Sequence, residues 1–274
     1  MQSHESKTMP RAFFWRRLQS LMGFFLVLFL IEHFLTNSQA ALFFGSDGIG
    51  FIRSVNAIRE LPYLPVIEIT LIALPFAIHM IWGVMYLFTS KDNSYWHSEK
   101  DPYLPNYPKN RAYTWQRITS WILFVGIIWH VVDMRFIHYP TIVKEGAQSH
   151  YTVPVTDDPG LHTLSERLGV KLIADQHIPK NQLMSVSPDF GTAELLVVRE
   201  AFKSPLAIFL YSIFVVTATY HACNGLWTFC ITWGITLTAR SQYLMRIFVY
   251  FLMGIVGFLG LIAIWGSTLI NLKD

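Results

Sequence analysis

Charge is scarce in this chain: Asp, Glu, Lys and Arg make up 14% of 274 residues, against 53% hydrophobic residues. With a mean hydropathy of +0.37, it is too apolar for an ordinary soluble domain of this length and fits a polytopic protein of the lipid bilayer. Cysteine is nearly absent. Cys223 and Cys230 share one apolar run, which excludes a disulfide framework or a cysteine zinc site and leaves them as small packing residues. There is no glycine-rich dinucleotide fingerprint and no cysteine array, so nothing in the chain by itself binds flavin or an iron–sulfur cluster. A formal net charge of +3 makes no case for nucleic acid as a partner.

Present instead are five runs long enough to span a hydrocarbon core, which takes about 20 residues: roughly 17–40, 66–88, 118–138, 205–236 and 245–269. They define an all-α integral membrane protein, with a membrane domain over 17–274 after an N-terminal segment 1–16. The first run has Arg16-Arg17 in front and Ser38-Gln39-Ala40-Ala41 behind, the flanks of a signal peptide. Its apolar stretch is longer than a signal core and carries Glu32-His33, so it reads as a retained helix. Lys7, Arg11, Arg16 and Arg17 precede run one, and Lys91, Lys100, Lys109, Arg111 and Arg117 lie between runs two and three. Arg240 and Arg246 mark the joint of runs four and five. The connection between runs one and two holds only Arg53 and Arg59, offset by Asp47 and Glu60. The positive-inside rule then puts the N-terminus in the cytoplasm and the C-terminus outside. The segment 139–204 is expected to be a long external loop with one short helix around Leu161–Leu168.

Of ten histidines, His33, His79, His130 and His221 lie in apolar runs, one in each of the first four. One such residue reads equally well as a neutral imidazole hydrogen-bonded to a neighbouring helix. Four are harder to explain as packing, because each desolvated ring needs its own partner. Depth sorts them. At 1.5 Å per residue, His33 and His130 lie about 24 Å and about 20 Å from the cytoplasmic flank, towards the outer face. His79 and His221 lie about 20 Å and about 24 Å below the outer ends of their runs, nearer the cytoplasm. Two histidines at one level on facing helices suit the two axial positions of a haem iron and leave no position for oxygen, which favours electron transfer. Gly83 follows His79 by four and Gly225 follows His221 by four, so each lies on its ligand's face, where a missing side chain lets a flat macrocycle approach. Glycine also serves close packing in membrane helices.

Around these histidines the chain resembles the five-helix, dihaem cytochrome b subunits of succinate:quinone oxidoreductases, the succinate dehydrogenase and fumarate reductase anchors of menaquinone-using bacteria. The stretches that carry the resemblance are Arg17-Leu18-Gln19-Ser20-Leu21-Met22-Gly23 leading to Glu32-His33-Phe34-Leu35-Thr36-Asn37, and Glu68 through Leu74-Pro75 to His79. Gln116-Arg117-Ile118-Thr119-Ser120 leading to His130, and His221-Ala222-Cys223-Asn224-Gly225-Leu226-Trp227, complete them. The resemblance implies two haems b: His79 and His221 on the one nearer the iron–sulfur subunit, His33 and His130 on the one nearer the outer face, within a bundle of the first four helices. It implies a flavoprotein and an iron–sulfur subunit as partners, a quinone (menaquinone by the same resemblance) as substrate, and the bacterial cytoplasmic membrane as location. The chain would then carry electron transfer and the quinone reaction, and none of the dicarboxylate chemistry. The length of 139–204 departs from compact relatives.

Haem propionates need donors, and Arg17, Ser20 and Arg117 near the inner ends of runs one and three are candidates; the arginines read equally well as interfacial anchors. A quinone exchanging electrons with the outer haem also exchanges protons. Asn37, one turn past His33, Glu68 at the start of run two, and Asp133, three past His130, are the candidates; Asp133 is also expected as a solvated residue paired with Arg135. Two rivals remain at this point. A cytochrome b of a formate dehydrogenase, nitrate reductase or hydrogenase shares the histidine logic, and a transporter or channel could use the histidines as proton relays while staying colourless.

Overall fold

The structure, a computed structural model, describes residues 10–41, 47–89, 108–145 and 148–271. Lys7, Lys91 and Lys100, and residues 1–9 of the N-terminal segment, lie outside the described residues. Five helices are long and apolar enough to cross a membrane: Arg11–Ala41, Leu64–Tyr86, Lys109–Ile137, Pro205–Thr232 and Ala239–Ser267. Within the second and third, only 6% of the most apolar window is buried in protein. Side chains such as Ile81, Val125, Phe136 and Phe251 face outwards, as a lipid solvent requires of a chain that must satisfy its backbone within each helix.

Helix α1 (Arg11–Ser38) and α5 (Pro108–Val132) begin six and ten residues ahead of the expected 17 and 118. Hydropathy marks where the oily stretch starts, whereas the helix continues through residues such as Arg16 and Arg117, whose apolar stems suit an interface. Two helices, α3 (Leu64–Ile67) and α4 (Leu74–Thr89), are joined by a π-helical turn, Glu68–Ala73. Pro75 has no N–H for the carbonyl four residues back, and the preceding turn widens, with Leu74 N–H reaching Ile69 O. Helix α5 also ends in a π turn, Asp133–Ile137. Helix α8 (Pro205–Thr232) stops four residues before the expected 236 because Gly234 takes a positive φ of 70° and closes the end. Helix α9 covers Ala239–Asn271.

The chain divides into two compact units. The first comprises Met1–Leu30, Pro65–Ser120 and Tyr220–Leu252, with parts of α1, α4, α5, α8 and α9. Within it Phe24 stacks on Phe229 at 4.7 Å between ring centres, and Trp15 lies 4.8 Å from Trp82. The second comprises Ile31–Leu64, Trp121–Thr219 and Met253–Asp274.

The second unit holds the main departure from expectation. Segment 139–204 is not a loop with one helix but a small α+β fold. Strands β1 (Thr141–Glu145), β2 (Gln148–Thr156), β3 (Lys171–Ile173) and β4 (Gln182–Ser187) form an antiparallel sheet of order β1-β2-β4-β3. Pro154 lies past the last β1 pair, Thr141 with Thr152, so its missing N–H falls where β2 has a neighbour on one side only. Helix α6 (Pro159–Leu168) is the one the sequence announced: Asp158 caps it by accepting from Leu161 N–H at 2.9 Å, Pro159 opens it, and Gly169 ends it at a φ of 68°. Helix α7 (Phe190–Ala201), capped by Asp189, was not foreseen. Val153, Val155, Leu161, Leu164, Ala193, Leu196 and Val197 form one core. On its other side α7 meets α2 (Ile49–Arg59), where Leu195 packs with Phe51 and Ile52. Asn56 pins that joint, accepting from Gly191 N–H at 2.8 Å and donating to Asp189 at 2.7 Å.

Candidate functional site

Each unit contains one pair of facing histidines. In the first, the rings of His79 and His221 lie 6.3 Å apart, centre to centre, at 86° to one another. In the second, His33 and His130 lie 5.9 Å apart at 74°. A metal held by one nitrogen of each ring, with bonds of about 2.0 Å and nitrogens about 1.2 Å from the ring centres, would set those centres about 6 Å apart.

The surrounding hydrogen bonds decide which nitrogen is available. His79 Nδ1 lies 3.1 Å from the carbonyl oxygen of Gln19, which can only accept, so Nδ1 carries the proton. His221 Nδ1 lies 3.1 Å from Thr119 Oγ1. The threonine donates its own proton to Trp115 O at 2.7 Å and is left to accept from the ring. His130 Nδ1 lies 3.2 Å from the Tyr211 hydroxyl. In the rings of His79 and His221, Nε2 is left with its lone pair free for a metal, the arrangement that a metal-ligating histidine adopts. Asn37 donates to the backbone oxygen of His33 at 2.8 Å and approaches its Nδ1 at 3.4 Å.

Helix α5 is held to α8 beside His221. Gln116 donates to His221 O at 3.1 Å, and Asn224 donates to Gln116 Oε1 at 2.6 Å and to Ala112 O at 3.3 Å. Buried amides in an apolar helix pair need such mutual partners. Among the described residues no three His, Cys, Asp or Glu side chains gather to hold an ion, and each pair offers two imidazoles.

The glycines near the two pairs differ in how closely protein atoms approach them. A Cβ on Gly83 would meet nothing within 4 Å, and one on Gly225 would make an ordinary 3.6 Å contact with the Gln116 amide. The glycines pressed against the pairs are Gly23, where a Cβ would stand 2.9 Å from His79 Cε1, and Gly126, where it would stand 2.6 Å from Phe214. Phe214 in turn packs 5.9 Å from the His130 ring. Gly126 precedes His130 by one turn, a spacing that could have singled it out.

Arg17, Ser20 and Arg117 belong to the unit of His79 and His221. Arg17 lies 3.6 Å over the Phe13 ring, and Arg117 lies 5.8 Å from that of Tyr113. Asn37 and Asp133 belong to the unit of His33 and His130, whereas half-buried Glu68 belongs to the other. Asp133 is not the solvated residue expected. Its side chain is 20% exposed and sits 3.0 Å from His138 Nδ1.

Fold and sites together define a polytopic helical membrane protein with a histidine pair inside each of two compact units. Over 256 residues the chain is 27% identical to the succinate dehydrogenase cytochrome b558 subunit of Bacillus subtilis (strain 168), covering 93% of this chain and 96% of that one. The similarity to that succinate dehydrogenase cytochrome b subunit runs over nearly the whole length of both chains. No protein-family model and no solved structure matches it.

Proposed function

We propose that this chain is the dihaem membrane-anchor subunit of a succinate:quinone oxidoreductase, carrying electrons between an iron–sulfur subunit and a membrane quinone. The observation that carries the reading is the doubled geometry: two histidine pairs, each at the spacing of two ligands on one metal, with no third metal ligand gathered beside them among the described residues.

His79 and His221 would hold one haem b and His33 and His130 the other; haem supplies one-electron redox chemistry and no more. The chain's own contribution is orientation and exclusion. Gln19 and Thr119 hold the His79 and His221 imidazoles in the tautomer that presents Nε2, and Tyr211 orients His130 through its Nδ1. Two histidines on each iron would leave no position for oxygen, which suits electron transfer. Arg17, Ser20 and Arg117 are the propionate donors on this reading, and Asn37, Glu68 and Asp133 the groups for quinone and proton exchange. Menaquinone is the quinone the resemblance favours. A flavoprotein interconverting succinate and fumarate completes the complex, in the bacterial cytoplasmic membrane with the N-terminus cytoplasmic and the C-terminus external. The basic residues around Arg16-Arg17, Lys109, Arg111 and Arg117 support that orientation.

The test is to purify the chain with its native partners and record a reduced-minus-oxidised spectrum, haem content and bound flavin. Two low-spin b-type centres per chain with a covalently or tightly held flavin on a partner are expected. Fewer than two centres, or a colourless preparation, overturns the reading.

A further inference from the structure

Thr119 on α5 is buried, 5% exposed, and shares a compact unit with His221 on α8. Its hydroxyl oxygen lies 3.1 Å from His221 Nδ1, 2.7 Å from Trp115 O and 3.1 Å from Gln116 O. Both carbonyls can only accept, and a hydroxyl has a single proton. That proton goes to the carbonyls of its own helix, so the oxygen turns a lone pair towards the imidazole. The bond therefore runs from His221 Nδ1–H to Thr119.

The same stretch of α5 also holds the backbone of His221. Gln116 donates to His221 O at 3.1 Å. Asn224, 6% exposed, donates to Gln116 Oε1 at 2.6 Å and to Ala112 O at 3.3 Å. The Trp115 ring meets that of Tyr220 at 6.5 Å between centres. These contacts fix where α8 passes α5, but they act on the backbone and on neighbouring side chains. The second side-chain torsion of a histidine is broad, without sharp wells, so helix pairing alone does not set the plane of the ring. A hydrogen bond to Nδ1 does, and it fixes the tautomer as well. The ring so held stands at 86° to that of His79, 6.3 Å away. His79 takes its acceptor from the backbone, Gln19 O at 3.1 Å, whereas His221 takes its acceptor from a side chain.

We propose that Thr119 is a positioning residue for His221: its hydroxyl oxygen sets the plane of the imidazole and the tautomer that leaves Nε2 free for a metal, while Gln116 and Asn224 hold the helix that carries the ring. This rests on the reading of His79 and His221 as two ligands of one haem. It assigns the orientation to one oxygen atom and not to the packing of the threonine methyl group.

Thr119→Val and Thr119→Ser, prepared in the purified complex, separate the two. Valine keeps the shape and removes the oxygen; serine keeps the oxygen and removes the methyl group. Low-temperature electron paramagnetic resonance reads the angle between paired imidazole planes, and transfer of haem to added apomyoglobin reads how firmly each centre is held. In Thr119→Val the His79/His221 signal should shift or broaden. That centre should hold its haem less tightly by on the order of 10- to 100-fold, the usual effect of removing such a partner. In Thr119→Ser both readouts should match wild type, and the His33/His130 signal should stay in place in both variants. If valine loses the centre outright, a wild-type signal in serine still assigns the role to the oxygen. An unchanged valine variant, a serine variant as damaged as valine, or equal damage to both centres overturns this inference alone. A wild-type preparation lacking two b-type centres overturns the parent reading and takes this one with it.

Discussion

Gly23 and His79 occupy one another's space: a Cβ on the glycine would stand 2.9 Å from Cε1 and 3.1 Å from Nδ1 of the imidazole. The ring also takes its orientation from Gln19 O, four residues before Gly23. One turn of α1 therefore supplies both the acceptor and the gap. Gly23→Ala forces the ring away from that acceptor, with an overpacking cost of about 1–3 kcal/mol. The expected outcome is selective loss or broadening of one b-type signal, that of the His79/His221 centre, with the other retained. A Cβ on Gly83 would meet no protein atom within 4 Å, so Gly83→Ala leaves the imidazole's contact with Gln19 O undisturbed. Difference spectra decide the matter, and an unchanged His79/His221 signal in Gly23→Ala would remove Gly23 from its role.

The same contrast explains how much of the site was legible in the sequence. Histidines in apolar runs announce themselves, because a desolvated imidazole demands a partner, and helical rise alone sorts the four into levels. The glycine rule of one turn past the ligand selected Gly83 and Gly225 because it considers only the ligand's own helix. Gly23 lies on a different helix from His79, and only the packed structure brings them together. Tyr211 was overlooked for a similar reason. A tyrosine among Ile, Leu and Phe reads as filler until its hydroxyl is seen 3.2 Å from His130 Nδ1.

The connecting fold was the least legible part. Its strands are short, and β3 has only three residues, too few for alternation to register as a period. Helix α6 showed through because Asp158-Pro159 and Gly169 mark both ends. Helix α7 also has an aspartate cap, but its apolar residues face two sides, the sheet and α2, so no polar face remained to reveal it.

Glu194 on α7 gives that fold a pH dependence. Burial is the dominant influence and lifts its carboxyl from the ordinary 4.5 to about 7, although Arg135 and Arg59 pull the other way. A carboxyl raised in the folded state stabilises fully below its unfolded value, and the contribution is lost as pH rises through the folded one. The window is therefore pH 4.5 to about 7. At 1.36 kcal/mol per pKa unit the whole effect is about 3 kcal/mol. Glu194→Gln should flatten the stability of segment 139–204 across this window and leave it more stable than wild type at pH 8. Amide exchange of β2 and α7 at pH 5 and pH 8 measures this, and an unchanged wild-type profile between the two refutes it.

Asp158 works in the opposite sense. Burial would raise its carboxyl, but hydrogen bonds and charge from Arg199 and Lys203 outweigh this and hold it well below the ordinary range. A depressed carboxyl stabilises above its unfolded value, so this contribution is present at neutral pH and disappears on acidification below about pH 4. The geometry explains the strength. Arg199 is 4% exposed and reaches Asp158 at 2.6 Å, while Lys203 meets the second oxygen at 2.6 Å. Glu200 shares both cations, at 3.4 Å and 2.5 Å. Removing the Asp158 charge takes from the buried guanidinium its 2.6 Å carboxylate partner, a change of the kind that costs about 3–5 kcal/mol. Asp158→Asn keeps a capping oxygen for Leu161 N–H, so its loss of stability isolates the charge, whereas Asp158→Ala loses the cap as well, a further 1 kcal/mol or about that. Limited proteolysis within 139–204 should quicken in the order wild type, Asn, Ala. The haem spectrum should hold in all three, because the network is built on β2, α6 and α7 and touches none of the four histidines. A bleached spectrum in the Asn variant would mean that this fold supports the His33/His130 pair directly.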